Sequence, residues 1–157
     1  MSKSLKRVRA ALETAGLAVD IRETALARTA ADAADAIGCH VDQIAKSIVF
    51  KGESSGLALV FVTKGGSSVD LDAATECAGE KLGKADPALI RAQTGFAIGG
   101  VSPIGHVNPT RKWFDAGLMA FDVVWAAAGT PHHVFGLPPK TMLDISEAEL
   151  AEFTSKP

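Results

Sequence analysis

Three groups of residues in this 157-residue chain have the types and spacing to do chemistry. The first is Phe96–Gly105, FAIGGVSPIG, in which an apolar run meets Gly99-Gly100 and then Ser102-Pro103. Glycines at the end of a strand admit positive φ and close approach of a ligand to the main chain. Successive peptide N–H groups in such a turn form a small concavity for an anion. Pro103 fixes its own φ and stiffens the turn. Taken alone, GG-x-SP is also what a tight barrel corner looks like.

The second group is Lys46-Ser47 inside IAKSIVF. A lysine there either points to water from an edge strand or turns into a cleft as a compact cation for phosphate or carboxylate. Alternation puts Lys46 on one face with Ile44 and Ile48, and Ser47 on the other with Ala45 and Val49. Ser47 reads as a hydrogen-bonding wall, because no base is evident to make it a nucleophile. The third group is Gly129-Thr-Pro-His132-His133. A strand starting at His132 sends the two histidines to opposite faces, so only one enters a given site.

Other chemistries are excluded. The four histidines and two cysteines share no metal-ligand spacing, so neither metal nor cofactor is expected. No GxSxG, Walker A or GxGxxG motif is present. A net charge of −2 argues against a protein that tracks a long nucleic-acid backbone, DNA above all, yet permits recognition of a nucleic-acid end. No apolar run approaches the roughly 20 residues of a membrane span. The basic N-terminus lacks an apolar stretch and does not read as a secretory signal. With two isolated cysteines, these features suggest the cytoplasm.

The elements that must position these groups follow from pattern. Leu5, Val8, Ala11, Leu12 and Ala15 recur at helical spacing up to Gly16. Leu17–Ile21 reads as a short strand, and Thr29 opens a helix over 30–37 that ends at Gly38. Strands over 44–51 and 57–63 make a hairpin. Asp70 caps a helix ending at Gly79, and Asp86-Pro87 caps another that runs to Thr94. The glycine-rich stretch from Phe96 is expected as a strand, 107–117 as a loop, and 121–127 and 132–137 as strands. Ser146-x-x-Glu149 predicts a terminal helix burying Leu150 and Phe153. The sum is one α+β domain over 1–157, with a compact, mostly antiparallel, barrel-like sheet and flanking helices.

Together AKSIVFKG (45–52), ADPALIRAQTGFAIGGVSPIG (85–105) and VWAAAGTPHHVF (124–135) resemble one family, in its order. It is the aminoacyl-tRNA deacylase family related to the editing insertion domain of bacterial prolyl-tRNA synthetase. The resemblance spans about residues 20–150 and implies a compact mixed barrel with flanking helices. It implies hydrolysis of a mischarged aminoacyl-tRNA, with water attacking and main-chain amides stabilising the oxyanion. By resemblance Lys46, Gly99 and Gly100 are catalytic, Lys46 engaging the terminal adenosine and its phosphate. Ser47, Ser102, Pro103, Gly129 and His132 bind substrate, His132 at a position that varies between subfamilies. Ala126-Ala127-Ala128 lacks the serine that precedes this glycine in cysteine-specific members, which fits another small amino acid, such as alanine, on tRNA-Pro. Implied partners are the aminoacyl-tRNA acceptor end and, where tRNA identity must be read, prolyl-tRNA synthetase or an elongation factor. Two alternatives stay open on the residues: a non-catalytic nucleotide or aminoacyl-tRNA-end binding module associated with a synthetase, and a small-molecule esterase or amidase.

Overall fold

The structure, a computed structural model, describes residues 2–155. Helix α1 (Lys3–Thr14) is capped by Ser2, whose hydroxyl accepts from Leu5 N, and buries Leu5, Val8 and Leu12. Strand β1 (Ile21–Glu23) follows, then α2 (Ala30–Ile37), with Thr29 as cap and Gly38 as a left-handed stop. A 3-10 turn (Val41–Gln43) leads into β2 (Ala45–Gly52), which pairs antiparallel with β3 (Ala58–Lys64). Next come β4 (Ser68–Val69), α3 (Leu71–Ala78), β5 (Leu82–Lys84) and α4 (Pro87–Thr94). The last third holds β6 (Lys112–Asp115), β7 (Val124–Ala127), β8 (His133–Leu137), α5 (Pro139–Ser146), β9 (Glu149–Ala151) and β10 (Thr154–Ser155).

The strands form sheets ordered β5-β2-β3-β6-β9, β1-β8-β7 and β10-β4. The pairings β3·β6 and β6·β9 are parallel and the others antiparallel, so the class is α+β with a mainly antiparallel sheet. The sheets do not close into one barrel; an isolated parallel bridge, Ile44 to Trp125, joins the large sheet to β7. Both faces of the large sheet are buried. Ala45, Val60, Val62 and Phe114 meet the main core with α1, while Leu59, Phe61 and Trp113 form a second core beneath α3. That explains why β3 reads ALVFVTK, a nearly unbroken apolar run.

Three expectations are corrected. Phe96–Gly100 is not a strand: Phe96 is fully buried as a plug, and Ala97–Gly100 is a turn closed by Gly100 N to Ala97 O at 3.0 Å. The loop expected over 107–117 contains β6, a strand flanked by parallel neighbours, whose charged ends are engaged. Lys112 Nζ donates to the carbonyl of Ser146, and Asp115 accepts from Lys64 N and Gly117 N. The terminal helix from Ser146 does not form. Its helix comes earlier, with Pro139 in the first turn, and Glu147 at φ 56° ends it before the edge of β6 takes up Glu149–Ala151. Phe153 is buried there, but Leu150 is half exposed.

Candidate active site

Between α2 and the meeting point of the two larger sheets lies a cleft of about 370 Å³, a volume suited to a small-molecule group. The open edge of β2 forms one wall. Its far half, Phe50–Gly52, pairs with β5 and Ile44 bridges Trp125, so the stretch Lys46–Ile48 has β3 on one side and the cleft on the other. Because the cleft meets the strand edge-on, Lys46 and Ser47 both line it although they point to opposite faces. The segment 24–27 is tied to the turn at 131–132 by Thr24 N to His132 O and Ala27 N to Pro131 O. Six alanines (27, 30, 33, 45, 126 and 127), Trp125 and Val134 give the lining its small, apolar character.

Lys46 Nζ donates to the carbonyl of Gly65 at 3.1 Å. Gly65 is tightly fitted; a Cβ there would lie 2.3 Å from Val41 O. Burial holds the Lys46 pKa below the ordinary lysine value, and the charge of Asp42 pulls it part of the way back. Ser47 Oγ is buried with no hydrogen-bond partner among the described residues. An unmade bond of this kind is costly and points to a ligand that completes it. We therefore expect Ser47→Ala to raise KM about three- to tenfold, the worth of one hydrogen bond, while the urea midpoint stays level or rises. A lowered midpoint with unchanged KM would assign Ser47 to the fold alone.

Across the cleft, Gly99 takes φ +90° at the third position of the Ala97–Gly100 turn, as a type II turn requires. Gly99 and Val101 line the cleft. The Gly100 N–H is spent on Ala97 O, whereas those of Gly99 and Val101 have no acceptor among the described residues. Gly100 instead backs onto Gly129: a Cβ on it would lie 2.9 Å from Gly129 O. Gly129, Ser102 and Pro103 are buried behind the wall, Ser102 Oγ accepting from Ile104 N at 3.3 Å. They shape the loop and lie outside the lining.

His132 is exposed and outside the cleft. Strand β8 starts one residue later than expected, and it is His133 that enters. Its Nδ1 lies 2.7 Å from Thr130 Oγ1, which also accepts from His132 N at 3.1 Å. With the Thr130 hydroxyl donating to Nδ1, the ring presents an Nε2–H toward Glu23 at 3.8 Å. The cross-strand register Glu23↔His133 creates that pair. Sequence reasoning missed Thr130, His133 and the Val101 amide; the GTP turn was the available signal for the first two.

The loop rests on His106, whose Nε2–H donates to Ser102 O at 2.6 Å. Burial first, and the Lys112 charge second, lower its pKa from 6.5 to about 4. The unfolded chain thus binds a proton that the native one refuses. Stability should fall as pH drops from 6.5 toward 4, by about 3 kcal/mol, and level off below. Urea midpoints across that range test this: His106→Gln should flatten the profile, and an unchanged slope in the variant would contradict it.

Residues 24–145 match the model of the aminoacyl-tRNA editing domain. The chain belongs to that family. This editing domain is 32% identical over 118 residues to the uncharacterized protein YwhH of Bacillus subtilis (strain 168), covering 75% of this chain and 74% of that one. It is 26% identical over 129 residues to EbsC of Enterococcus faecalis (strain ATCC 700802 / V583), proposed to be a Cys-tRNA(Pro)/Cys-tRNA(Cys) deacylase, with 82% and 78% covered. The solved structure of a proposed trans-editing enzyme for prolyl tRNA synthetase superposes at TM-score 0.91 and 42% identity, over 99% of both chains. Aminoacyl-tRNA editing is accordingly the functional class of this domain. Among the described residues no helix is long and apolar enough to cross a membrane.

Proposed function

We propose that the cleft hydrolyses the ester of a mischarged aminoacyl-tRNA, tRNA-Pro bearing a small amino acid such as alanine, with water as the nucleophile. The observation that carries this is one cleft lined both by the partly buried Lys46 and by Gly99 and Val101, whose peptide N–H groups have no acceptor among the described residues. An ester on a ribose hydroxyl is already activated, so positioning water and stabilising the oxyanion suffice. Water adds to the carbonyl carbon, and the oxyanion takes the N–H groups of Gly99 and Val101. The C–O bond to the ribose breaks, and that oxygen leaves with a proton. Losing one such donor costs roughly 3–4 kcal/mol in other enzymes. Lys46 holds the terminal nucleotide, by its phosphate or ribose. His133, reached through the Thr130 hydroxyl, is a proton acceptor at the cleft, alongside the neighbouring ribose hydroxyl of the substrate.

The alanine lining supports a small acyl group and shape-based rejection of the cognate one. One methylene is worth only about 1–3 kcal/mol of discrimination, which is why a separate hydrolytic sieve is useful. With a net charge of −2, contact centres on the acceptor end, and a synthetase or elongation factor supplies tRNA identity. Release of free amino acid from Ala-, Cys- and Ser-tRNA-Pro by the purified protein tests the reading. Ala-tRNA-Pro should be turned over fastest. Tight binding of all three without release would instead identify a holding module.

The Thr130–His133–Glu23 chain favours a second reading, an esterase with Thr130 as covalent nucleophile. Glu23 is largely exposed and 3.8 Å from the ring, a poor orienting partner, which places this reading second. Burst kinetics on simple phenyl esters would support it.

A further inference from the structure

We propose that a second, phosphodiester-binding site lies behind the glycine loop and holds the RNA strand that leads into the cleft. It deepens the editing reading and rests on it for the identity of the strand. A cavity of about 450 Å³ is lined by Ser2, Lys3, Ser4, Arg7, Arg91 and Gly95 among others, with no carboxylate in the lining. None of its three cations makes an ion pair among the described residues. What sets the hollow apart, in a chain with 16 basic and 18 acidic residues, is that three cations line it and no carboxylate does.

Arg7 is held in place for the task. Its Nη2 donates to the carbonyl of Gly95, and its guanidinium lies 5.5 Å from the centre of the Phe96 ring. Its Nε is buried without a partner among the described residues, so the fork is only partly satisfied by the protein. A planar, pre-set guanidinium beside two exposed cations, Lys3 and Arg91, suits the tetrahedral oxygens of a phosphate. The first turn of α1 adds no acidic residue to oppose an anion.

The hollow and the cleft share a wall. A Cβ on Gly129 would fall 2.7 Å from Ser4 O, and Gly129 O backs onto Gly100. Gly95 and Gly99 are the two ends of one short segment, the first lining the hollow and the second the cleft. An anion bound in the hollow therefore sits one loop's thickness from the ester. The ligand that presents phosphates at that remove from an aminoacyl group is the polynucleotide carrying it.

The test is fluorescence anisotropy with a labelled, uncharged acceptor-stem RNA hairpin ending in a single-stranded 3′ tail, titrated across a series of salt concentrations. Lys3 and Arg91 are exposed, so the K3Q/R91Q double variant should keep the wild-type urea midpoint. Its Kd should rise tenfold or more, and the slope of log K against log salt should shrink by about one to two units. Unchanged Kd and slope overturn the site. Binding of inorganic phosphate in calorimetry, lost in the variant while RNA binding is unaltered, overturns the nucleic-acid assignment. Because the hairpin carries no amino acid, a failure of hydrolysis in the wild-type protein leaves this result standing separately.

Discussion

Lys46→Ala should lower kcat/KM for deacylation at least 10²-fold while the protein keeps its fold. The asymmetry follows from what the side chain touches. In the free protein Lys46 makes one bond, to the carbonyl of Gly65, worth about 0.5–1.5 kcal/mol net. Removing a half-buried ammonium also relieves its desolvation, which offsets part of that loss. In the proposed complex the same ammonium meets a nucleotide inside an apolar cleft, where charge-assisted bonds are roughly twice as strong as neutral ones. Lys46→Arg should recover little, because the planar fork does not replace a compact cation beside the close-fitted Gly65. In the wild-type enzyme the alkaline loss of activity should fall below pH 10.5, since burial lowers the Lys46 pKa from that value. Full activity in the alanine variant would remove Lys46 from the site.

Gly129→Ala should destabilise the protein by about 2–5 kcal/mol and reduce activity even where it remains folded. Two penalties add at this position. The residue has φ +93°, a region costing an L side chain about 1–3 kcal/mol. The new methyl would also lie 2.7 and 2.8 Å from backbone atoms of Ser4, which cannot swing aside as a side chain would. Relief requires α1 or the 129–130 turn to move, and that turn carries Thr130 and supports Gly100. Gly56→Ala is the control, because it has φ +74° with nothing within 4 Å of the added carbon. It should show the strain alone, with normal activity. Urea midpoints that are equal for the two variants would show that the clash at Ser4 is absorbed.

How far the sequence carried the fold depended on whether each signal was local. Asp86-Pro87 predicted α4 to its ends, because a capping aspartate and a first-turn proline act within one turn. Thr29 and Asp70 served equally well, each side chain accepting from the N–H groups they were expected to cap. The hairpin of β2 and β3 was legible from two apolar runs flanking a glycine-bounded turn. Strand β6 was not, since Lys112 and Asp115 look like loop residues until Ser146 and Gly117 supply their partners. The SEAE signature at Ser146 misled because a capping box competes with the parallel edge of β6, and the edge takes Glu149–Ala151.

The site divides along the same line. Lys46 stood out because a lysine among Ile44, Ile48 and Val49 needs a reason, and Gly99 because a glycine pair after an apolar run implies positive φ. Which amide is free was not legible. It depends on Gly100 closing the turn onto Ala97, while the Gly99 and Val101 N–H groups have no acceptor among the described residues. The exchange of His132 for His133 was not legible either, because which of two adjacent histidines faces the cleft depends on the Glu23↔His133 register that β8 makes with β1.

The central claim is that Lys46 and the Gly99 and Val101 amides address one ester from opposite walls. It is tested most directly by a crystal structure with a non-hydrolysable substrate, 3′-alanylamino-3′-deoxyadenosine 5′-phosphate, in which an amide replaces the ester. The account predicts the alanyl carbonyl oxygen at hydrogen-bond distance from Gly99 N or Val101 N, the methyl among the alanines of the cleft, and the nucleotide phosphate or ribose on Lys46 Nζ in place of the Gly65 carbonyl. A ligand seated elsewhere, or one in the cleft with its carbonyl turned away from both amides, would contradict it.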